Sequence, residues 1–292
     1  MIHALRCQRD VRQGEYMETH CLHATNYPSD MNDREWELIR PYVAVREHLG
    51  APRTVCLRCV INALFYKNKT GCQWKMIPHE YPHPSTVYWY LKKWTENGTW
   101  KRINDAFVIR VRRKAGKEDS PSLAIIDSQS VKTTEVGGKA GYDGGKNVYG
   151  RKRHIVVDTL GMLLLVVVTA ASIQEANSAA LLGPKLQGKY PRMKKILVDG
   201  GYKEKFITWF VEQCKWIVEV AKRREGAIGF EVIPLRWIVE RTFGWYNHFR
   251  GLSKDYEYHP EISQSMIYLA SIRIMLRRLS KRKSRIYVNT NC

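Results

Sequence analysis

The hydrophobic period of the chain changes at Pro121, and few folds accommodate both sides of that change. Upstream, apolar residues recur at helical spacing in short blocks. Trp36, Leu38 and Ile39 follow a cap at Asn32 or Asp33, and Val55, Leu57, Val60, Ile61, Leu64 and Phe65 lie between Thr54 and Gly71. Val87 to Trp94 follow a cap at Ser85, and Ile103, Phe107, Val108 and Val111 follow Thr99. Downstream come apolar runs of strand length: Leu123 to Ile126, Arg153 to Asp158, Leu163 to Thr169, Lys195 to Val198 and Trp216 to Val220. Helical patterns at Ser178 to Leu186, Lys203 to Cys214 and Leu235 to Arg250 interleave with the later runs, and Gly137 to Lys152 reads as a loop. The pattern predicts a flexible extension over 1–30 and a small all-α domain over 31–115. An α/β domain with a mixed five-stranded sheet and flanking helices follows over 121–259, then a C-terminal helix with a basic tail over 260–292.

A net charge of +20 on 292 residues, with a pI near 9.7, calls for a polyanionic partner. The tight turns between short helices, one of them aromatic and basic, suit a helix-turn-helix-like DNA-binding module as well as a structural bundle; the charge favours DNA. A membrane span is not expected, because the most apolar run, Met162 to Ala171, is far short of the ~20 residues a span needs. Met1 to Leu22 carries charges where a signal peptide needs an apolar core, and the seven irregularly spaced cysteines read as free thiols. Both point to the cytoplasm. Cys56 and Cys59 form a lone C-x-x-C within a helical pattern, which reads as a buried structural pair and not as zinc ligands.

Two of the strand-length runs end in aspartate, Asp127 and Asp199. In a three-stranded meander followed by right-handed crossovers, the strand before Asp199 lies parallel to the strand before Asp127. Both acids then share one sheet edge at the carboxyl ends of the strands, where ligands of open α/β sheets bind. A third acid, Glu240, lies on an amphipathic helix, opposite its apolar stripe of Leu235, Ile238, Thr242, Trp245, Tyr246 and Phe249. Taken alone, Glu240 is a solvated surface acid. Together, three carboxylates form an all-oxygen site suited to Mg²⁺ or Mn²⁺, and a pair of such ions activates the attacking oxygen and stabilises the leaving oxygen of a phosphodiester. Gly244, inside that helix, leaves room for something to come close.

Several motifs carry a family resemblance. Asp127-Ser-Gln-Ser-Val-Lys-Thr133, Gly141-Tyr-Asp-Gly-Gly145, Gly150-Arg-Lys-Arg-His154, Asp199-Gly-Gly-Tyr202, Val239-Glu-Arg-Thr-Phe243 and Leu252-Ser-Lys-Asp-Tyr-Glu257 resemble bacterial insertion-sequence transposases of the DDE type, in the insertion sequence five group. Tyr27 to Met31, Thr70 to Trp74 and Ser85 to Tyr88 extend the likeness to the front of the chain. The resemblance implies a ribonuclease H-like catalytic domain with Asp127, Asp199 and Glu240 as catalytic and metal-binding triad. It implies double-stranded DNA as partner, at transposon ends and target, and cleavage followed by strand transfer without a covalent protein–DNA intermediate. Synapsis of two ends implies a homo-oligomer on DNA, and a DNA-acting enzyme implies association with the bacterial nucleoid.

Arg236 matches the arginine of the related Y-R-E-K signature, whereas Ile233 replaces its tyrosine and Asn247 its lysine; Arg250 or Lys254 takes the missing basic role. Lys132, Arg151, Lys152, Arg153 and Arg241 are further expected DNA contacts near the triad, with Lys92 and Lys93 on the aromatic helix of the front domain. A catalytically silent DNA-binding repressor and a nuclease of the same fold are the competing functions.

Overall fold

The computed structural model of the chain describes residues 27–44, 55–135, 137–221 and 235–281. Expectations for residues 1–26, the turn at Gly50 to Arg53, Ile233 and the tail beyond Lys281 lie outside the described residues. Residues 27–30, expected in the flexible extension, are part of the packed structure. They form a turn in which Ser29 and Asp30 are buried, and Asp30 accepts a hydrogen bond from the Tyr81 hydroxyl at 2.6 Å.

Four helices precede the sheet: α1 (Asp33–Val43), α2 (Leu57–Thr70), α3 (Pro84–Glu96) and α4 (Thr99–Lys114). Asn32 caps α1 in a reciprocal box with Glu35, a feature that contributes about 1 kcal/mol. Gly71 ends α2 with φ of 72°, the left-handed conformation that glycine adopts without a Cβ penalty. The cap of α3 is His83 and not Ser85, because Pro84 takes the first helical position and leaves the His83 ring to accept from the Ser85 amide.

The sheet comprises β1 (Leu123–Lys132), β2 (Gly141–Asp143), β3 (Val148–Asp158), β4 (Leu163–Ala170), β5 (Lys195–Val198) and β6 (Ile217–Val220). β3 pairs antiparallel with β1 on one side and with β4 and β2 on the other, while β5 lies parallel to β1 and β6 parallel to β5. The five expected strands thus lie in the order β4-β3-β1-β5-β6, a meander extended by parallel strands, which is the ribonuclease H-like arrangement. α5 (Ala179–Leu186) and α6 (Glu204–Cys214) form the crossovers, and α7 (Arg236–Asn247) returns to the sheet.

Two details differ from the sequence reading. β1 does not end at Asp127 but pairs with β3 as far as Lys132, and the expected loop over Gly137 to Lys152 contains the β2–β3 hairpin. Both segments are polar, so alternation is weak; their charges are satisfied by partners distant in sequence, as described below.

Helix α8 (Pro260–Ser280) is buried over most of its circumference. It packs on α4 and β4 and also reaches α1, α2 and α3. The boundary expected between 115 and 121 is therefore a turn in the chain and not a break in the apolar core, which runs from Trp36 through Phe107 to Ile155 and Leu269. No helix among the described residues is long and apolar enough to cross a membrane.

Candidate active site

β1 and β5 pair with Ile125 opposite Leu197. Two residues further along each strand stand Asp127 and Asp199, side by side where β5 ends and β1 runs on without a parallel neighbour. The Ser128 amide donates to Asp127 Oδ1 at 2.7 Å and the Gly201 amide to Asp199 Oδ1 at 2.9 Å, so each carboxylate is oriented by its own turn of backbone. Burial, and secondarily the charge of Asp199, push Asp127 up to about 6. The all-oxygen donor set of such a pair fits a hard divalent cation.

Glu240 approaches from α7 through an arginine. Arg236 Nε lies 3.3 Å from Glu240 Oε1, and its Nη2 lies 3.8 Å from Asp199 Oδ2. The guanidinium therefore bridges the third acid to the second. Among the described residues, no three acidic, His or Cys side chains form a ready metal cluster: Asp127 and Asp199 are brought together, and Glu240, 55% exposed, stands off behind Arg236.

α7 is seated by the stripe expected from its periodicity. Ile238, Thr242, Tyr246 and Phe249 are buried, Val239 joins them, Trp245 is only half-buried, and Leu235, expected in the stripe, is exposed in the left-handed position that precedes the helix. Thr242 Oγ1 donates to Gly161 O at 3.1 Å and Arg241 Nη2 to Leu160 O at 3.2 Å, which docks the helix on the β3–β4 turn. Arg241 also stacks on Trp237 and Trp245, at 4.5 and 4.6 Å from the ring centres. A Cβ added at Gly244 meets nothing within 4 Å, so that glycine opens onto free space and not onto the chain itself.

The basic residues expected at DNA divide into two groups. Arg151, Lys152 and Arg153 are inside the protein, at 0%, 2% and 4% exposure, and correct the expectation of phosphate contacts there. Arg151 donates to Asp255 Oδ1, Ser263 Oγ and the carbonyls of Lys139, Glu257 and Tyr258. Arg153 holds the carbonyls of Leu252 and Lys254, and burial lowers it to about 10. The Lys152 ammonium lies 3.0 Å from both Asp143 and Glu175. Lys132, Arg250, Lys254 and Lys92 are on the surface, with Lys93 beside them, its ammonium 4.8 Å from the Trp89 ring centre.

Glu175 went unnoticed in the sequence. It accepts from Ser128 Oγ at 2.7 Å, next to Asp127, while Ser130 Oγ donates to Asp143. Lys146 donates to the Ser128 carbonyl, so the stretch of β1 that follows Asp127 is tied to one polar network. The available signal was its isolation, since Glu175 is the only acid between Asp158 and Asp199.

Comparison with known proteins agrees with this architecture. A family model described as "Transposase DDE domain" matches residues 118–275, and one described as "Putative transposase of IS4/5 family" matches residues 31–104. A curated relative from Burkholderia cepacia, "Putative transposase for insertion sequence element IS402", is 28% identical over 127 residues, covering 41% of this chain. The chain spans 60% of that relative's length. Among solved structures, the Mos1 mariner paired end complex with Mn aligns over 85% of this chain and 84% of its own at 13% identity, with a TM-score of 0.29, too loose a likeness to argue from. The first family model spans more than half of the chain, and the chain belongs to the DDE transposase family.

Proposed function

We propose that this chain cleaves DNA at the terminal inverted repeats of an insertion sequence and transfers the freed strand to target DNA. The observation that carries the reading is the β1–β5 register, which sets Asp127 beside Asp199 with Arg236 linking Asp199 to Glu240. Asp127, Asp199 and Glu240 would hold Mg²⁺ or Mn²⁺, two ions by the demands of phosphodiester exchange. When bound, such ions would supply Lewis acidity to the attacking oxygen, a water for cleavage and a 3′-hydroxyl for joining, and to the leaving oxygen. Arg236 supplies a donor to a non-bridging phosphate oxygen, and Lys132, Arg241, Arg250 and Lys254 extend a basic surface around the cleft. Of these, Arg250 or Lys254 takes the role of the lysine that Asn247 replaces. Lys92 and Lys93 on α3 serve the front of the chain in holding duplex DNA. Acting on two ends at once calls for a homo-oligomer assembled on DNA, working at the bacterial nucleoid.

The test is a Mg²⁺-dependent cleavage and joining assay on duplexes carrying the inverted repeats, with wild type beside Asp127→Ala, Asp199→Ala and Glu240→Ala. Cutting and joining that are lost in each variant while DNA binding persists is the expected result. Cutting that survives all three substitutions would overturn the triad. Binding without cleavage by the wild type would make the chain a repressor, and cleavage without joining a nuclease.

A further inference from the structure

Away from the aspartates, α2, the end of α7 and α8 enclose a cavity of about 210 Å³ whose charged lining is entirely cationic. Phe65, Phe249 and Arg273 are buried at its floor, and Arg277 and His248 are exposed at its rim. Three of its cations rest on aromatic rings. Arg273 lies 5.4 Å from the Phe65 ring centre, Lys69 5.2 Å from that of Phe249 and Arg278 4.4 Å from that of Trp245. Such stacking fixes a cation without neutralising it.

Little else neutralises them. Arg273 pairs with Glu35 at 2.7 Å, but its Nε is buried with no hydrogen-bond partner and the side chain is only 6% exposed. Lys69 donates to the His248 carbonyl and Arg277 to the Pro28 carbonyl; among the described residues, no carboxylate lies in ion-pair range of Lys69, Arg277 or Arg278. Burial and the charge of Arg277 lower the Lys69 ammonium, as expected where positive groups crowd together without an acid. The rings are already covered by cations, so the cavity offers an anion contact and not a stacking face for a base.

We infer that this cavity is a phosphodiester subsite, in which Lys69, Arg273, Arg277 and Arg278 hold one backbone phosphate of a DNA strand independently of sequence. The inference rests on the DNA-acting function proposed above and adds a second contact region, at the seam between the helical layer and the helix that carries Glu240.

Binding of a fluorescent 20-base-pair duplex of arbitrary sequence, measured by anisotropy with the full chain in EDTA over a salt series, tests it. One phosphate contact contributes about 0.9 to the slope of log affinity against log salt. Arg277→Gln, a rim substitution, and the Lys69→Ala/Arg277→Gln pair are expected to lower that slope by about 1 and to weaken binding several-fold at moderate salt. Lys185→Ala, an exposed control on α5, is expected to leave the slope unchanged. An unchanged slope in both cavity variants overturns the inference, as does an equal change in the control. Inorganic phosphate that binds the chain, with binding lost in the cavity variants, while duplex affinity stays unchanged also overturns it, because the cavity would then be a site for free phosphate. The readout needs neither metal nor strand chemistry. Its failure leaves the carboxylate reading intact, and failure of cleavage in the wild type leaves this binding result interpretable.

Discussion

Lys152 is a nearly fully buried ammonium matched by two carboxylates at 3.0 Å, Asp143 and Glu175, both held down to about 2. Removing one partner of a buried ionic group leaves the others uncompensated, which costs about 3–5 kcal/mol. Lys152→Met is therefore expected to lose several kcal/mol in urea denaturation, and a loss under about 1 kcal/mol would show the network to be structurally idle. Two residues on, His154 is fully buried and held down to about 4, by burial first, then by the Lys152 charge, with Lys146 adding and Glu175 opposing. A base that is harder to protonate folded than unfolded costs stability when the unfolded chain binds the proton. Its contribution is whole above pH 6.5 and is lost as pH falls toward 4, amounting to about 3 kcal/mol. Urea midpoints of wild type and His154→Leu should converge as pH falls across that window; a constant gap would contradict the assignment.

At the scale of elements, the seat of α7 decides where Glu240 stands. The β3–β4 turn that receives it contains Gly161, with φ of 78°. A Cβ there would lie 2.8 Å from Thr242 Oγ1 and 2.9 Å from the Trp245 ring. Gly161→Ala is expected to cost about 2 kcal/mol, from backbone strain together with displacement of α7. Cleavage should fall further than the loss of folded protein explains, as measured by activity per folded molecule; unchanged specific activity would mean that the turn does not position the helix. The same elements show what the sequence made legible. The strands before Asp127 and Asp199 were visible because each is a short apolar run closed by an acid, and topology alone then pairs them. The apolar stripe of α7 was visible at Ile238, Thr242, Tyr246 and Phe249 for the same reason. The start of β3 was not visible. Arg151, Lys152 and Arg153 read as basic contacts to DNA, and the acceptors of the two arginines at Asp255, Leu252 and Lys254 lie about a hundred residues away. Local pattern records charge, whereas burial of charge depends on partners that only the fold supplies. Arg236, by contrast, was legible as a neighbour of Glu240 but not as its bridge to Asp199.

On the scale of the whole molecule, α8 joins what the change of period at Pro121 separates. It lies against α4 and β4, and Arg273 on it pairs with the buried Glu35 of α1. One continuous core predicts one cooperative transition, so tryptophan fluorescence, weighted to the helical layer, and far-ultraviolet dichroism should give coincident urea curves. Separate transitions would mean that the front helices fold as an independent domain. In the proposed function, the positive surface around that core serves DNA and the carboxylates are the chemical centre. Glu240 is the decisive member, because Arg236 holds it apart from the aspartates in the fold as it stands. The most direct measurement is the Mg²⁺-dependent cleavage rate of Asp127→Asn, Asp199→Asn, Glu240→Gln and the triple variant beside wild type. Groups that act as one unit lose about as much singly as together. Each single variant is expected to fall to the level of the triple. A Glu240→Gln enzyme that cuts within a few-fold of wild type, while the two aspartate variants are dead, would contradict a three-carboxylate site.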